Sequence, residues 1–425
     1  MKHSMTPMAA MRGVFIGAAL LFAPHVFAVQ TFTVNSTLDG IDDDTSDGVC
    51  HTAANTCTLR AAIMQANRSS GAGVTIMLPA GTFTLTRPAA NSDGEDNGDL
   101  NLTAPVSGDP VIAIIGAGAS RTIIDANQID RVFHVEQFRT ATISAVTLRN
   151  GYSDMGGGIV NVGTLTLDHV IVTSNYATEG GGISNQGYLT VQDSSVVFNI
   201  AGITAGGIVN STSMDLSAST IAFNTAIYGG GLYNVGDVAL TDSTIASNQA
   251  TENGGGIYDS GTSANIYNST IAYNDANSNA DSTGYGGGAY IVSGATLNLH
   301  NSLVVGNYVR GDPQLRNDCY GDGTLVPYGR NLTTTIGDCK VATSSNWALL
   351  NSLSLLGPLQ NNGGPTQTIA LLSGSNAINA GIACVDANGN PILADQRGLA
   401  RIVGSACDVG AYEFDPDRIF ASGFE

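Results

Sequence analysis

The chain has 425 residues, a net charge of −19 and 16 lysines and arginines against 35 acidic residues. That balance argues against nucleic acid and anionic membrane surfaces as partners, because both require clustered cations. The 53 glycines would suggest disorder if scattered. Many instead recur at a fixed interval beside Ile, Val and Leu, and so read as turn and close-packing positions.

Residues 1–28 read as a secretory signal peptide: Lys2 and Arg12 precede an apolar run at 14–22, and Val26, Phe27 and Ala28 form a small-residue cleavage site. No later run is long enough to span a bilayer. The expectation is an exported chain, secreted or held at the outer membrane or cell surface. In that compartment the six cysteines favour sequence-local disulfides, Cys50–Cys57, Cys319–Cys339 and Cys384–Cys407, over a metal site.

Residues 29–70 do not repeat. Thr31 to Val34 alternate as a short strand, and an acidic loop follows at 42–48. Residues 57–67 read as a helix capped by Thr58, with Leu59, Ala62, Ile63 and Ala66 on one apolar face. A solenoid exposes an apolar end, and such a helix would cover it.

From 71 to 310 the chain is β-rich and becomes periodic. Gly-Gly-Gly-Ile-Val-Asn opens at 156, and close variants return at 180, 205, 229, 254 and 286. Asn150, Asn175, Asn199, Asn224, Asn248, Asn274 and Asn307 keep the same beat. Three short strands and three turns fill each period, which predicts an all-β fold: a right-handed parallel β-helix with coils of about 24–25 residues. A propeller needs a longer period, and the Gly and β-branched content excludes an α-solenoid. Equivalent residues of successive coils should stack. Ile159, Ile183, Ile208, Leu232 and Ile257 form an inward column, and the Asn series from 150 to 307 forms an amide ladder. Asp168, Asp193, Asp242, Asn268 and Asn301 form a third column at an Asx-turn position. After Asn307 the rhythm stops. Residues 311–414 are expected to be a disulfide-bearing C-terminal region, and 415–425 a tail.

Cys-Thr-Leu-Arg-Ala-Ala-Ile at 57–63 is similar to the motif of the CSLREA domain of bacterial exported proteins, with Thr58 and Ala61 departing from it. The Gly-Gly-Gly-Ile units resemble repeats of polymorphic outer-membrane proteins and of pectate-lyase-like right-handed β-helices. The segment from Asn-Asn-Gly-Gly-Pro-Thr-Gln-Thr at 361, through Asp-Gln-Arg-Gly at 395, to Cys-Asp-Val-Gly-Ala-Tyr-Glu at 407 resembles the choice-of-anchor Q region. The resemblance implies a bacterial β-helix at or beyond the cell surface, and implies no reaction. No C-terminal stretch is long enough for a translocating barrel.

Two function classes follow: a binding, adhesion or structural module, and a polysaccharide-degrading hydrolase or lyase. A polyuronate lyase needs cations and a base, yet 150–309 contains no Lys or Arg, and Arg121, Arg131, Arg139 and Arg149 lie upstream. A glycosidase needs two facing carboxylates, whereas the recurrent aspartates are explained by turns. The expectation therefore leans away from an enzyme, and no catalytic residue is assigned. Tyr233, Tyr258 and Tyr290 hold one outward register beside the Ile column, and Tyr285 lies at the end of the loop 275–285. Exposed tyrosines beside asparagines suit a neutral glycan; a purely structural stack is the simpler alternative. Asp43, Thr45 and Asp47 occupy alternate places of an acidic loop with Gly48 sixth, as in a calcium loop lacking its distal Glu, which makes Ca2+ the cofactor candidate.

Overall fold

The computed structural model describes residues 29–69, 73–89, 94–104, 110–280, 283–310, 317–335, 339–342 and 346–417. The expected signal peptide and most of the expected tail lie outside these residues. The chain winds as a parallel β-helix, and each regular coil supplies one strand to each of four sheets. One coil shows the pattern: Ile159–Asn161 in the first sheet, Thr164–Asp168 in the second, Ile171–Thr173 in the third and Tyr176–Glu179 in the fourth. The three-strand expectation is thus one short. The stretch between each Asn corner and the glycines is extended enough to pair, from Tyr152–Met155 to Tyr308–Val309.

Register is one-to-one. Ile159 pairs with Ile183, then Ile208, Leu232, Ile257 and Ala289 follow. All six side chains are buried in the interior, as the inward column requires. Corners are turned by left-handed residues. Gly180, Gly229 and Gly254 take φ of 65°, 65° and 74° before the first sheet, a region glycine enters at no steric cost. Asp193, Asp242, Asn268 and Asn301 take φ of 45–48° between the second and third sheets, where Asp and Asn are the tolerated non-glycine types. Asp168 does not belong to that column. It pairs with Gln192, one position earlier, and His169 takes the corner.

The amide ladder is formed, beginning at Asn175 rather than Asn150. Each Nδ2 donates to the Oδ1 of the next rung at 2.9–3.1 Å, from Asn175 through Asn199, Asn224, Asn248, Asn274 and Asn307 to a final acceptor, Asp318. Asn150 sits one place out of register and donates to Asp125. A second ladder joins the last residues of the first-sheet motif: Asn161, Asn185, Asn210, Asn234 and Asp259 at 2.8–2.9 Å. Both are buried. Since an unpaired buried amide costs about 1–3 kcal/mol, these chains hold the coils in register.

At the start of the solenoid the helix Leu59–Ala66 forms as read. Thr58 accepts from the Ala61 amide, and Ala62, Ile63 and Ala66 join the main core. The short strand expected near Thr31 is present as Gln30–Thr33 and pairs with Gly73–Met77, so the capping segment also supplies the first strand of the solenoid. The buried Arg60 bonds to Asp39 at 2.6 Å and to the carbonyls of Gly98 and Asp99. The three expected disulfides are present.

The solenoid runs past the boundary expected at 310. Cys319–Tyr328, Asn331–Thr333, Cys339–Val341 and Trp347–Leu349 continue the first three sheets. These coils lack the glycine triplet, so the rhythm is lost in the sequence while the pairing continues. The chain then turns back as a strap. The antiparallel pair Leu356–Gln360 and Thr368–Leu371 and the segment through Val409 bury Ala246, Ala272, Leu303 and Val305 of the third sheet in a second apolar cluster.

Candidate functional site

The outer face of the first sheet carries a column that changes character along its length. Val160, Ser184 and Val209 are followed in register by Tyr233, Tyr258, Tyr290 and Tyr320. The rings stack: Tyr233 on Tyr258 with centroids 4.7 Å apart, Tyr258 on Tyr290 at 5.2 Å, and Tyr290 on Tyr320 at 5.9 Å. The interplanar angles are 4°, 15° and 23°, so coil spacing of about 4.8 Å dictates the stack. Tyr285 adds a ring on Tyr320 at 4.5 Å, and Tyr228 meets the edge of Tyr258 at 5.8 Å. The structure therefore brings Tyr233, Tyr258, Tyr290 and Tyr285 together. Tyr320 was not found from the sequence because no glycine triplet precedes it. The Cys-Tyr pair in register with Ala289 and Tyr290 was the available signal.

Ring stacking with a ligand is not what this column offers along its middle. Within the ladder each ring face is taken by the next ring, which leaves edges and phenol groups to meet a partner. The hydroxyls form a row with the spacing of the coils. Burial, with Tyr233, Tyr290 and Tyr228 around it, pushes the Tyr258 phenol up to about 12. Burial also raises Tyr290, helped by Tyr320 and Asp322. The row is therefore a set of neutral hydrogen-bond donors and acceptors at ordinary pH.

The acidic loop is organised around a histidine. Asp47 Oδ2 lies 2.9 Å from His51 Nε2, and Asp43 contacts Nδ1 on the other side. The hydrogen bond to Asp47 is the main cause that raises the His51 pKa; desolvation opposes it, and the contact with Asp43 adds to the rise. Asp42 is buried and accepts from the Asp44 amide, the His51 amide and Gln65. Of the calcium candidates Asp43, Thr45 and Asp47, the two aspartates are thus brought to one imidazole, and Thr45 stands in the turn between them. A cation there would have to displace His51 from both carboxylates.

Other charged candidates resolve into structural contacts. Arg131 pairs with Asp99 at 2.9 Å, Arg149 with Asp125 at 2.8 Å, and the buried Arg139 donates to the Pro110 and Thr103 carbonyls. Arg121 donates to the Ala117 carbonyl. Asp168, His169 and Asp193 meet at a corner, with His169 Nδ1 2.6 Å from Asp168. Partial burial raises Asp193, and Asp168 adds to this against the pull of His169. His169 is exposed at the second-to-third-sheet corner and the two aspartates are partly so. Asp242 is buried under the strap beside Arg401 at 3.7 Å.

The C-terminal motif residues build the strap's attachment. Gln396 accepts from Thr244 at 2.6 Å and donates to Thr220 and Thr366, each at 2.9 Å. Asp395 holds Arg397, whose guanidinium lies 3.6 Å over the Tyr412 ring. Thr270 accepts from the Ala411 amide. These residues act as a clamp onto the third sheet.

Among the described residues no helix is long and apolar enough to cross a membrane. No family model matches the chain, and no curated protein does. Among solved structures, the chain is similar to one titled "Crystal structure of pectate lyase Pel9A", at 17% sequence identity and a TM-score of 0.50. The match covers 91% of this chain and 98% of that one. At this identity the likeness concerns fold, and with the sheet topology it makes this chain a right-handed parallel β-helix.

Proposed function

We propose that this protein is an exported bacterial binding module whose tyrosine wall holds a neutral polysaccharide along the solenoid axis. The observation that carries the reading is the in-register ladder Tyr233, Tyr258, Tyr290 and Tyr320. A row of neutral phenols repeating at about the coil spacing of 4.8 Å offers hydrogen bonds to a polymer with a comparable repeat. The net charge of −19 disfavours polyanions at the same surface. The export and surface location rest on the segment 1–28 and on the terminal motifs.

Titration calorimetry with a panel of neutral and acidic polysaccharides tests this directly. Neutral polymers should bind, and the double substitution Tyr258→Phe with Tyr290→Phe should remove most of the affinity while leaving the melting temperature near its original value. A neutral polymer bound equally well by the double variant would sink the reading.

The rival, a polysaccharide-degrading enzyme, draws its support from the pectate lyase likeness in fold. The four arginines just upstream of the regular coils, Arg121, Arg131, Arg139 and Arg149, are all engaged in contacts of the early coils, which weighs against their serving as its base or cation. Release of unsaturated or reducing ends from the same panel, abolished by replacing one acidic residue, would establish it instead.

A further inference from the structure

The corner between the third and fourth sheets holds a second aromatic column, and it is interrupted. Phe198, Phe223, Ser247 and Tyr273 follow the paired strands ending at Val197, Ala222, Ala246 and Ala272. All four adopt left-handed backbone, with φ of 57–59°. Bulky side chains avoid this region at a cost of about 1–2 kcal/mol each, so three aromatics placed there mark a position where rings are wanted. Phe198 and Phe223 stack at 4.8 Å and 5°. The next rung is Ser247, and the rung after it is Tyr273. The Tyr273 ring leans away from the gap, over Gly306, where a Cβ would lie 3.0 Å from Tyr273 Cδ1 and Cε1. Leu353 packs there as well, and the Tyr273 hydroxyl points to the Gly357 carbonyl at 3.5 Å.

Two coils separate Phe223 from Tyr273, a distance of about 9.6 Å by coil spacing, which accommodates one missing ring. The space is a cleft of about 490 Å3 lined by Phe223, Ser247, Tyr273, Leu356, Pro358 and Leu359. It is an open cleft rather than an enclosed cavity, so a ring seated there would keep one edge towards solvent. The strap closes it on one side through Leu356, Gly357, Pro358 and Leu359. No charged residue lines it, and Ser247 adds a hydroxyl beside the apolar rings and the strap. We propose that this cleft binds a planar aromatic ring carrying one hydrogen-bonding group, of the phenol or indole class, stacked on Phe223 in place of the absent rung. A sugar ring would bring several hydroxyls to a wall with few partners for them, so the chemistry selects the flatter and less polar ligand.

Indole and p-cresol are suitable probes, with cyclohexanol as a non-planar control, followed by ligand-observed NMR and calorimetry on the full chain. Both aromatic probes should bind and cyclohexanol should not. Phe223→Ala, at an exposed position, should weaken binding about tenfold, the order of one lost stacking contact. Ser247→Phe should abolish binding by filling the rung itself, as Phe198 and Phe223 do at equivalent positions. Failure of both probes to bind the unaltered protein overturns the proposal. So does unchanged affinity in Phe223→Ala, which remains decisive if Ser247→Phe does not fold. Tyr258→Phe with Tyr290→Phe should leave these probes unaffected, so the outcome is separable from that of the glycan wall.

Discussion

The outer faces of the first and third sheets are built on the same coils and treated in opposite ways. On the first sheet the outward residues grow into Tyr233, Tyr258, Tyr290 and Tyr320, and the surface stays open. On the third sheet they shrink to Thr and Ala: Thr220 and Ala222, Thr244 and Ala246, Thr270 and Ala272, all buried beneath the strap. Before the strap begins, the same positions hold Ile171 and Thr173, then Ser195 and Val197, and remain partly exposed. A solenoid gives every coil the same geometry, so residue size on each outward column decides which face can be covered and which can receive a ligand.

The strongest way to break this contrast is pH, because the covered face holds buried acids and the open one neutral phenols. Burial pushes Asp242 up to about 7 against the pull of Arg401, with Asp395 and Glu413 adding to the rise. Glu413 is raised to about 7 by burial, lowered by the amides of Asp408 and Val403, raised by Asp408 and lowered by Arg401. Both folded values lie above the ordinary ones of 3.8 and 4.5. The folded chain therefore keeps protons that the unfolded chain has released. Stability should be greatest near pH 4, fall as pH rises towards 7, and change little through these groups above that. Asp259, raised to about 6 by burial, slopes the same way. Urea midpoints at pH 5 and pH 8 measure the slope, and Asp242→Asn should flatten it. An equal slope in that variant would remove Asp242 from the account and leave Glu413 to carry it.

Placing the open face's residue on the covered face should do nearly as much damage. Ala246 is fully buried between the third sheet and the strap, so Ala246→Tyr overpacks the joint. A cost of about 3 kcal/mol is expected, at the upper end for overpacked cores, with the strap becoming sensitive to limited proteolysis before the coils do. Removing the clamp is milder. Gln396→Leu deletes the bonds to Thr220, Thr244 and Thr366; Thr220 and Thr366 keep their bonds to the Gln367 and Ala218 carbonyls, while the buried Thr244 hydroxyl loses the acceptor it had. About 2 kcal/mol should be lost, read as a lower denaturant midpoint.

What was legible in the sequence followed from the period. The inward Ile column, the amide ladder, the three disulfides and the shared register of Tyr233, Tyr258 and Tyr290 all repeat or pair locally, and local repetition survives in one sequence. Three things did not. Asn150 shares the beat of the other asparagines, yet its coil is offset by one residue, and only pairing reveals that Gly151 stands opposite Asn175. The solenoid's last coils lost their glycines, so Tyr320 was invisible. The strap is a contact between residues separated by roughly 150 positions, such as Thr244 and Gln396, and a Thr-Ile-Ala triplet does not state what covers it. Its cue was the switch of outward residues to small ones at 220.

The smallest stability effect should come from the open face, and there the two substitutions of Tyr258 separate structure from binding. Tyr258 stacks on both Tyr233 and Tyr290. Tyr258→Ala removes these two stacks and the edge contact of Tyr228 from a half-exposed column, and about 1 kcal/mol should be lost. Tyr258→Phe keeps the ring and deletes the hydroxyl, so stability should move by less than about 0.5 kcal/mol, the range of surface substitutions. If the hydroxyl row is what a neutral polymer meets, both variants weaken binding to a similar degree despite their different stabilities. If instead the ladder only supports the sheet, Tyr258→Phe leaves every ligand titration unchanged. Paired melting and binding curves on the two variants thus decide whether the open face is a wall or a site.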